Sequence, residues 1–311
     1  MSWNESHIPD QTGRVALVTG GNGGLGFETT RALAAKGARV ILAARNQDKA
    51  EQARAEIVIS NRGADLDVRE LDLASLGSVK TFANSILDDY DRLDLLFNNA
   101  GVMGIPERKT EDGFEMQFGT NHLGHYALTA WALPLLVDTP GSRVVTITST
   151  ARHFGRPVDP DNPHLEGKYD PWRAYGQSKL ANLHFAVGLN RRLEASGAPT
   201  ASLVAHPGLS NTDLQATTAR EGGGHFWDRM ADVFGMSPAD GALPQLRAAT
   251  DPGASGGQLY APRWAQFGAP VRRPLTPRST STKAIETLFT VSEAETDLTI
   301  DVAGAMQGSS T

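Results

Sequence analysis

VALVTGGNGGLGFETTRALAAKG, residues 15–37, changes character twice along its length. Residues 15–20 are β-branched and apolar and read as a strand; residues 24–37 read as a helix closed by Gly37. Between them lies TGGNGGLG, residues 19–26, with Gly20, Gly24 and Gly26 spaced as G-x3-G-x-G. Glycines permit a tight turn there and let backbone N–H groups approach a pyrophosphate at the helix N-terminus. Gly20, Asn22, Gly24, Leu25 and Gly26 are therefore candidate cofactor contacts. A glycine-rich loop with no ligand is the plainer alternative, and the position at a first strand-to-helix crossover favours the nucleotide. No Gly-Lys-Ser/Thr follows, so this is not a nucleoside-triphosphate loop of the Walker kind.

The same alternation continues outward. ARVILAAR (38–45), DVRELDL (67–73), RLDLLFNNAG (92–101), RVVTITST (143–150) and TASLVAHPG (200–208) read as strands, the fourth-strand segment entering a loop. Helical runs stand between them at 46–60, 75–90, 112–136 and around Tyr175, with Gly119 and Gly124 interrupting the third. Strand cores without strict alternation indicate burial on both faces, hence a parallel sheet covered by helices on each side. The expected fold is a Rossmann-type doubly wound α/β sheet in one domain, residues 12–300, with 1–11 and 301–311 as terminal tails. PVRRPLTPRSTSTK (270–283) reads as a linker, and STKAIETLFTVSEAET as a final helix.

Composition narrows the function. The 311 residues are 40% hydrophobic and 21% charged, ordinary for a globular chain. A net charge of -6 with no basic cluster argues against nucleic acid. No apolar run approaches the ~18 residues of a membrane span, and MSWNESHIPDQTGR lacks the order of a secretory signal. The expectation is a cytoplasmic protein with no membrane partner. The absence of cysteine excludes disulfides, thiolate nucleophiles and Cys-ligated zinc.

Individual residues then suggest chemistry. Ala43, Ala44, Arg45 and Asn46 close the second strand without a carboxylate, so Arg45 is available to pair with a 2′-phosphate; a solvated arginine is the alternative. This favours NADP, with NAD as the other cofactor. Tyr175 and Lys179, in AYGQSKL, lie one helical turn apart, so the phenol and ammonium share a face. His122 and His125 have a spacing seen in metal pairs but no evident third ligand, so no metal is expected. His153, four residues after Ser149, is a candidate substrate contact. Phe226, Met230, Val233 and Phe234 follow helical spacing within residues 213–240. That face is either core or an apolar lid hinged at the GGG of 222–224, with Phe226 and Met230 near substrate.

Together these pieces resemble the short-chain dehydrogenase/reductase family over roughly residues 12–262. TGGNGGLG matches that family's glycine motif, NNAG (98–101) its fourth-strand motif, and Tyr175-x-x-x-Lys179 its paired tyrosine and lysine. KTEDGFEMQFGTNHLGHYALT and AYGQSKLANLHF resemble the retinol-dehydrogenase-like branch. The resemblance implies a catalytic set of Asn121, Ser149, Tyr175 and Lys179. It also implies cofactor contacts from Asp72 and Leu73, from Asn98, Ala100 and Gly101, and from Pro207, Gly208 and Thr212, besides Tyr175 and Lys179 themselves. It implies hydride exchange between a nicotinamide cofactor and a small hydrophobic alcohol or carbonyl partner. Tyr175 would act as acid/base, its phenolate favoured by Lys179, and Ser149 would polarise the reacting oxygen. A homo-oligomer, dimer or tetramer, is compatible with it.

The sequence also departs from that family. Ser149 and Tyr175 are 26 positions apart, about twice the compact spacing, so ARHFGRPVDPDNPHLEGKYDPWR is an insertion beside the site. Gly23 stands where some NADP-preferring relatives carry a basic residue. The membrane anchor of the animal retinol enzymes has no counterpart, which points away from a retinoid. The rival reading is a non-catalytic dinucleotide-binding redox sensor; the intact Asn121, Ser149, Tyr175 and Lys179 set argues against it.

Overall fold

Alternate residues of the first strand, β1 (Val15–Thr19), enter different cores: Val15 and Leu17 on one face of the sheet, Ala16 and Val18 on the other. A strand buried on both faces needs a helical layer on each, and a computed structural model of the chain shows both. It describes residues 2–167, 169–209 and 236–308. The other strands are β2 (Arg39–Ala44), β3 (Asp65–Glu70), β4 (Leu95–Asn98), β5 (Arg143–Ile147), β6 (Ala201–Ala205), β7 (Leu259–Pro262) and β8 (Pro270–Arg273). Among the described residues they form one sheet in the order β3-β2-β1-β4-β5-β6-β7-β8, parallel except for β8. The order reverses between β1 and β4, and the crevice outside the carboxyl ends of the strands opens there.

One face carries α1 (Gly24–Ala34), α2 (Gln47–Ser60) and α7 (Pro238–Thr250); the other carries α3 (Leu76–Asp89), α5 (Gly124–Val137), α6 (Pro171–Ala195) and α8 (Thr282–Thr296). Several N-termini carry a chemical signal. Asn46 caps α2, Ser75 caps α3, and Asp170 caps α6 with Pro171 in its first turn. Gly188 within α6 is explained by packing: a methyl group there would lie 2.5 Å from the Phe289 ring and 2.6 Å from Ile285 of α8.

Several boundaries differ from the sequence reading. The helix expected from 112 starts at Met116, because the Glu115 carboxylate caps the amides of Gln117 and Phe118. After the short α4 (Met116–Phe118) it passes through a π-helical turn, Gly119–Leu123, before α5. The third strand ends at Glu70 rather than 73, and at the sheet edge it is only half-buried. The stretch read as a linker contains β8, whose first residue, Pro270, is tolerated because the strand is an antiparallel edge. α7 and β7 had no sequence expectation. The terminal segments set aside as tails pack on the domain. Trp3 and Ile8 join the core on the α1 side, and Val302 of α9 (Val302–Gly308) joins that on the α5 side. No described helix is long and apolar enough to cross a membrane.

The insertion is a docked structure. His164 stacks on Phe114 with ring centroids 5.7 Å apart and accepts from the Glu115 amide at 3.2 Å. The Tyr169 hydroxyl reaches the Glu115 carboxylate at 3.0 Å, and Gln177 of α6 donates to the Pro163 carbonyl at 2.7 Å. A methyl group on Gly155 would collide with the Gly176 carbonyl of α6. Arg278, far along the chain, donates to the carbonyls of His153 and Gly155.

Three imidazoles are sealed into this body. Burial pushes His122 down to about 3, His125 to about 4 and His206 to about 3. The unfolded rings take up protons near pH 6.5 and the folded ones do not, so stability is lost as pH falls below that value. Each ring is expected to contribute about 1.4 kcal/mol per pH unit between pH 6 and 4. Urea unfolding across that range checks it. His122→Phe should lower the slope by about one proton, and an unchanged slope would refute the assignment.

Candidate active site

The turn after β1 forms a cradle that side chains would fill. Gly20 and Gly24 have φ of +67° and +49°, conformations open to glycine at little cost. A methyl group on Gly26 would collide with the Gly20 carbonyl and come 2.8 Å from Asn99 Nδ2. α1 can therefore begin directly against the end of β1. Its cap residue, Gly23, offers no side-chain hydrogen bond, so no cap side chain takes up the first-turn amides. An uncapped helix N-terminus in a glycine cradle fits the diphosphate of a dinucleotide.

The cradle continues into a cleft of about 710 Å3. Gly20, Asn22, Gly24, Leu25 and Gly26 line one end, and Ala100 and Gly101 the middle. Ser149, Tyr175, Lys179, Pro207 and Gly208 line the other end. Ser149 follows β5 and caps a short 3-10 turn, accepting from the Ala151 amide at 3.2 Å. The Tyr175 phenol is close enough for Ser149 to lower its proton affinity. The Lys179 ammonium donates to the Ile147 carbonyl at 3.3 Å and sits 5.8 Å from the centre of the Tyr175 ring.

Asn121 lies behind the cleft wall, fully buried in the π-helical turn. Its side chain pairs with the Val102 peptide, accepting from N at 2.7 Å and donating to O at 2.9 Å, and also donates to Ser178 Oγ at 2.9 Å. The point where a Gly101 side chain would begin is 2.8 Å from Asn121 Oδ1 and 3.5 Å from Lys179 Nζ. The absence of that side chain leaves the two groups facing one small space. A π turn of this kind is commonly retained at functional sites.

Burial governs the charges. It pushes the Tyr175 phenol up to about 12, with Ser149 opposing. It pushes the Lys179 ammonium down to about 8. The phenol is therefore neutral at pH 7, because burial is the largest influence on it.

Other expected residues are distributed around this core. Arg45 is exposed, and its guanidinium lies 3.9 Å from the Asp72 carboxylate, which itself accepts from the Ala74 amide. Leu73 is buried, and its carbonyl leaves no room for a side chain at Gly124. Asn98 faces Thr129 and Thr146 inside the sheet and does not line the cleft; its neighbour Asn99 does. The His153 side chain is not part of the lining. Thr212, Phe226 and Met230 lie outside the described residues.

The lining also includes Lys49, Met103, Phe154, Trp172, Leu209 and Gln266, which sequence reasoning passed over. Two had a legible signal. Trp172 precedes Tyr175 by three positions on one helix, and their rings meet edge to face at 6.2 Å. Lys49 stands in the first turn of the helix that follows Arg45.

Comparison with known proteins agrees with this geometry. The short chain dehydrogenase family profile matches residues 14–222. Mouse retinol dehydrogenase 11 is 42% identical over 241 residues, 78% of this chain and 74% of its own. A short-chain dehydrogenase/reductase of Armillaria gallica is 42% identical over 86% of each chain. Among solved structures, an uncharacterised protein of Mycobacterium paratuberculosis superposes with a TM-score of 0.80 at 38% identity, covering 97% of this chain and all of the other. Pseudomonas aeruginosa RhlG, solved with NADP, superposes at 0.62 with 25% identity, covering 80% of this chain and 94% of its own.

The buried lysine makes a thermodynamic prediction. An unfolded lysine titrates near 10.5 and the folded one near 8, so stability rises with pH between those values. Lys179→Met should stabilise the ligand-free protein by roughly 2–3 kcal/mol at pH 7, the gap shrinking to under about 1 kcal/mol at pH 10. Urea titrations at both pH values check it; a variant no more stable than the parent at pH 7 would refute it.

Proposed function

The chain belongs to the short-chain dehydrogenase family, and from that premise we propose that it is an NADP(H)-preferring oxidoreductase interconverting a hydrophobic alcohol and its aldehyde or ketone. The observation that carries this reading is the convergence of Ser149, Tyr175 and Lys179 at one end of a cleft whose other end is a glycine cradle. A pure binding protein has no need of a buried phenol and a serine facing one cleft. The bound nicotinamide cofactor supplies or accepts the hydride.

The protein's own groups handle the proton and the orientation. In the reduction direction the neutral Tyr175 phenol gives its proton to the substrate oxygen, and in oxidation the phenolate takes it back. Ser149 donates a hydrogen bond to the same oxygen, stabilising developing negative charge. Lys179 holds the nicotinamide ribose and, when charged, lowers the cost of the phenolate. Asn121 fixes Val102, in the loop after β4, and Ser178, one position before Lys179. The walls at this end are apolar, with Met103, Phe154, Trp172 and Leu209, which suits a hydrophobic substrate.

The preference for NADP rests on two cations at the far end. Arg45 is held only by an exposed contact to Asp72, worth little in water, and a 2′-phosphate competes with it. Lys49 lines the same cleft and supplies the second positive charge that Gly23 does not.

Tyr175→Phe is expected to lower turnover by about two to four orders of magnitude, with cofactor affinity within about twofold of the parent's. Steady-state kinetics and cofactor titration decide it, and near-parental turnover would remove Tyr175 from the mechanism. Arg45→Ala and Lys49→Ala should each weaken NADPH binding by roughly 10-fold or more and leave NADH binding little changed. Dissociation constants for both cofactors test this; equal losses for both would make the residues solvated surface cations.

A further inference from the structure

His125 is buried, belongs to none of the groups assigned above, and makes two hydrogen bonds to different parts of the site. Its Nδ1 lies 3.0 Å from the Asn121 carbonyl, and its Nε2 lies 2.9 Å from the Thr19 hydroxyl. A carbonyl can only accept, so Nδ1 carries the ring proton. In a neutral ring Nε2 is then an acceptor. The Thr19 hydroxyl accepts from the amides of Asn99 and Ala100, at 2.9 and 3.0 Å, and its single proton points to His125. The hydroxyl also lies 3.1 Å from the Phe97 carbonyl, but that oxygen has a donor in the Asn99 amide at 2.9 Å, whereas an acceptor Nε2 has the Thr19 hydroxyl as its donor.

The bonding therefore has one direction, from Thr19 to His125 to Asn121. Thr19 is the last residue of β1, immediately before the glycine cradle. Asn99 and Ala100 are cleft-lining residues of the loop after β4. Asn121 sits in the π turn that faces Lys179 across Gly101. One imidazole thus spans the cofactor-binding cradle and the catalytic asparagine, and its two nitrogens hold one each.

We infer that His125 is a positioning residue for the hydride-transfer site: through Nε2 it sets the Thr19 end of the cofactor cradle, and through Nδ1–H it fixes the π turn that carries Asn121. This inference rests on the proposed roles of the cradle and of Asn121. The cofactor arm of its test needs no turnover, so it stands or falls apart from the assignment of Tyr175.

Two amide substitutions divide the ring. In His125→Asn the side-chain NH2 can occupy the Nδ1 position and keep the bond to Asn121 while losing Thr19. In His125→Gln the side-chain oxygen can occupy the Nε2 position and accept from Thr19 while losing Asn121. His125→Asn is expected to raise the NADPH dissociation constant about 3- to 10-fold with kcat at saturating cofactor near the parent's. His125→Gln is expected to lower kcat by a similar or larger factor with cofactor affinity near the parent's.

NADPH fluorescence titration, kcat at saturating cofactor and urea stability are measured on all three proteins. The split between the two variants is the supporting result. A histidine that only fills space would lower stability in both and move affinity and kcat together or not at all, and either pattern overturns the inference. Should both variants fail to fold, Thr19→Val and Thr19→Ser carry the cofactor arm. The valine should weaken NADPH binding and the serine should restore it; equal affinities in the two would overturn the inference.

Discussion

The site depends on one steric constraint: α1 starts so close to the end of β1 that Gly26 can carry no side chain beneath the Gly20 carbonyl. That contact brings the uncapped helix N-terminus to the mouth of the sheet and presses the turn against Asn99. Asn99 is then fixed from several directions. Its side chain donates to the Thr19 carbonyl at 2.8 Å, and Gln245 of α7 donates to its Oδ1 at 3.3 Å. The geometry of the cradle is therefore shared among α1, the loop after β4, and a helix from late in the sequence. A larger residue at position 26 would shift all of them together, because close-packed interiors transmit strain.

The catalytic end works on a different principle, desolvation. Tyr175 and Lys179 are on one buried face of α6, and each is pushed toward its neutral form. Burial costs stability through Lys179, which is charged in water, and brings it nearer the working pH, while it carries the Tyr175 phenol further from it. The glycines at 20, 24, 26 and 101 do the converse work, opening space and backbone donors without adding charge.

Much of this was legible in the sequence. The strand, glycine turn and helix at 15–37 announced the first crossover, and Tyr175 and Lys179 shared a helix face by spacing alone. The element boundaries were less so, for physical reasons. A helix start set by the Glu115 carboxylate, or an edge strand rich in proline and arginine, has no periodic signal. The π turn was visible only as two glycines in an otherwise helical run, and its cause is tertiary: Gly119 lies against Thr110 and Phe114, and Gly124 against Leu73. Arg45 and Asp72 were read separately, and their 3.9 Å contact across two strand ends could not be seen from their positions in the chain. Asn98 and Asn99 exchange sides for the simplest reason: successive residues at a strand end point in opposite directions.

The grip of Arg278 on the carbonyls of His153 and Gly155 has a consequence for how the enzyme comes into being. A chain is made from its N-terminus, and its earlier parts begin to fold while the rest is still being synthesised. The glycine turn and the loop after β4 lie within residues 19–101, and Gln245 adds its hold on Asn99 later. The loop beside Ser149 and the outer face of α6 receive their last partners, Arg278 and then Ile285 and Phe289, only when residues 278–289 emerge. A nascent polypeptide can thus bring the glycine turn and the loop after β4 together early, while the chemical half waits for residues 278–289. Chains released short of that point would have the cradle without the clamp that completes the catalytic side.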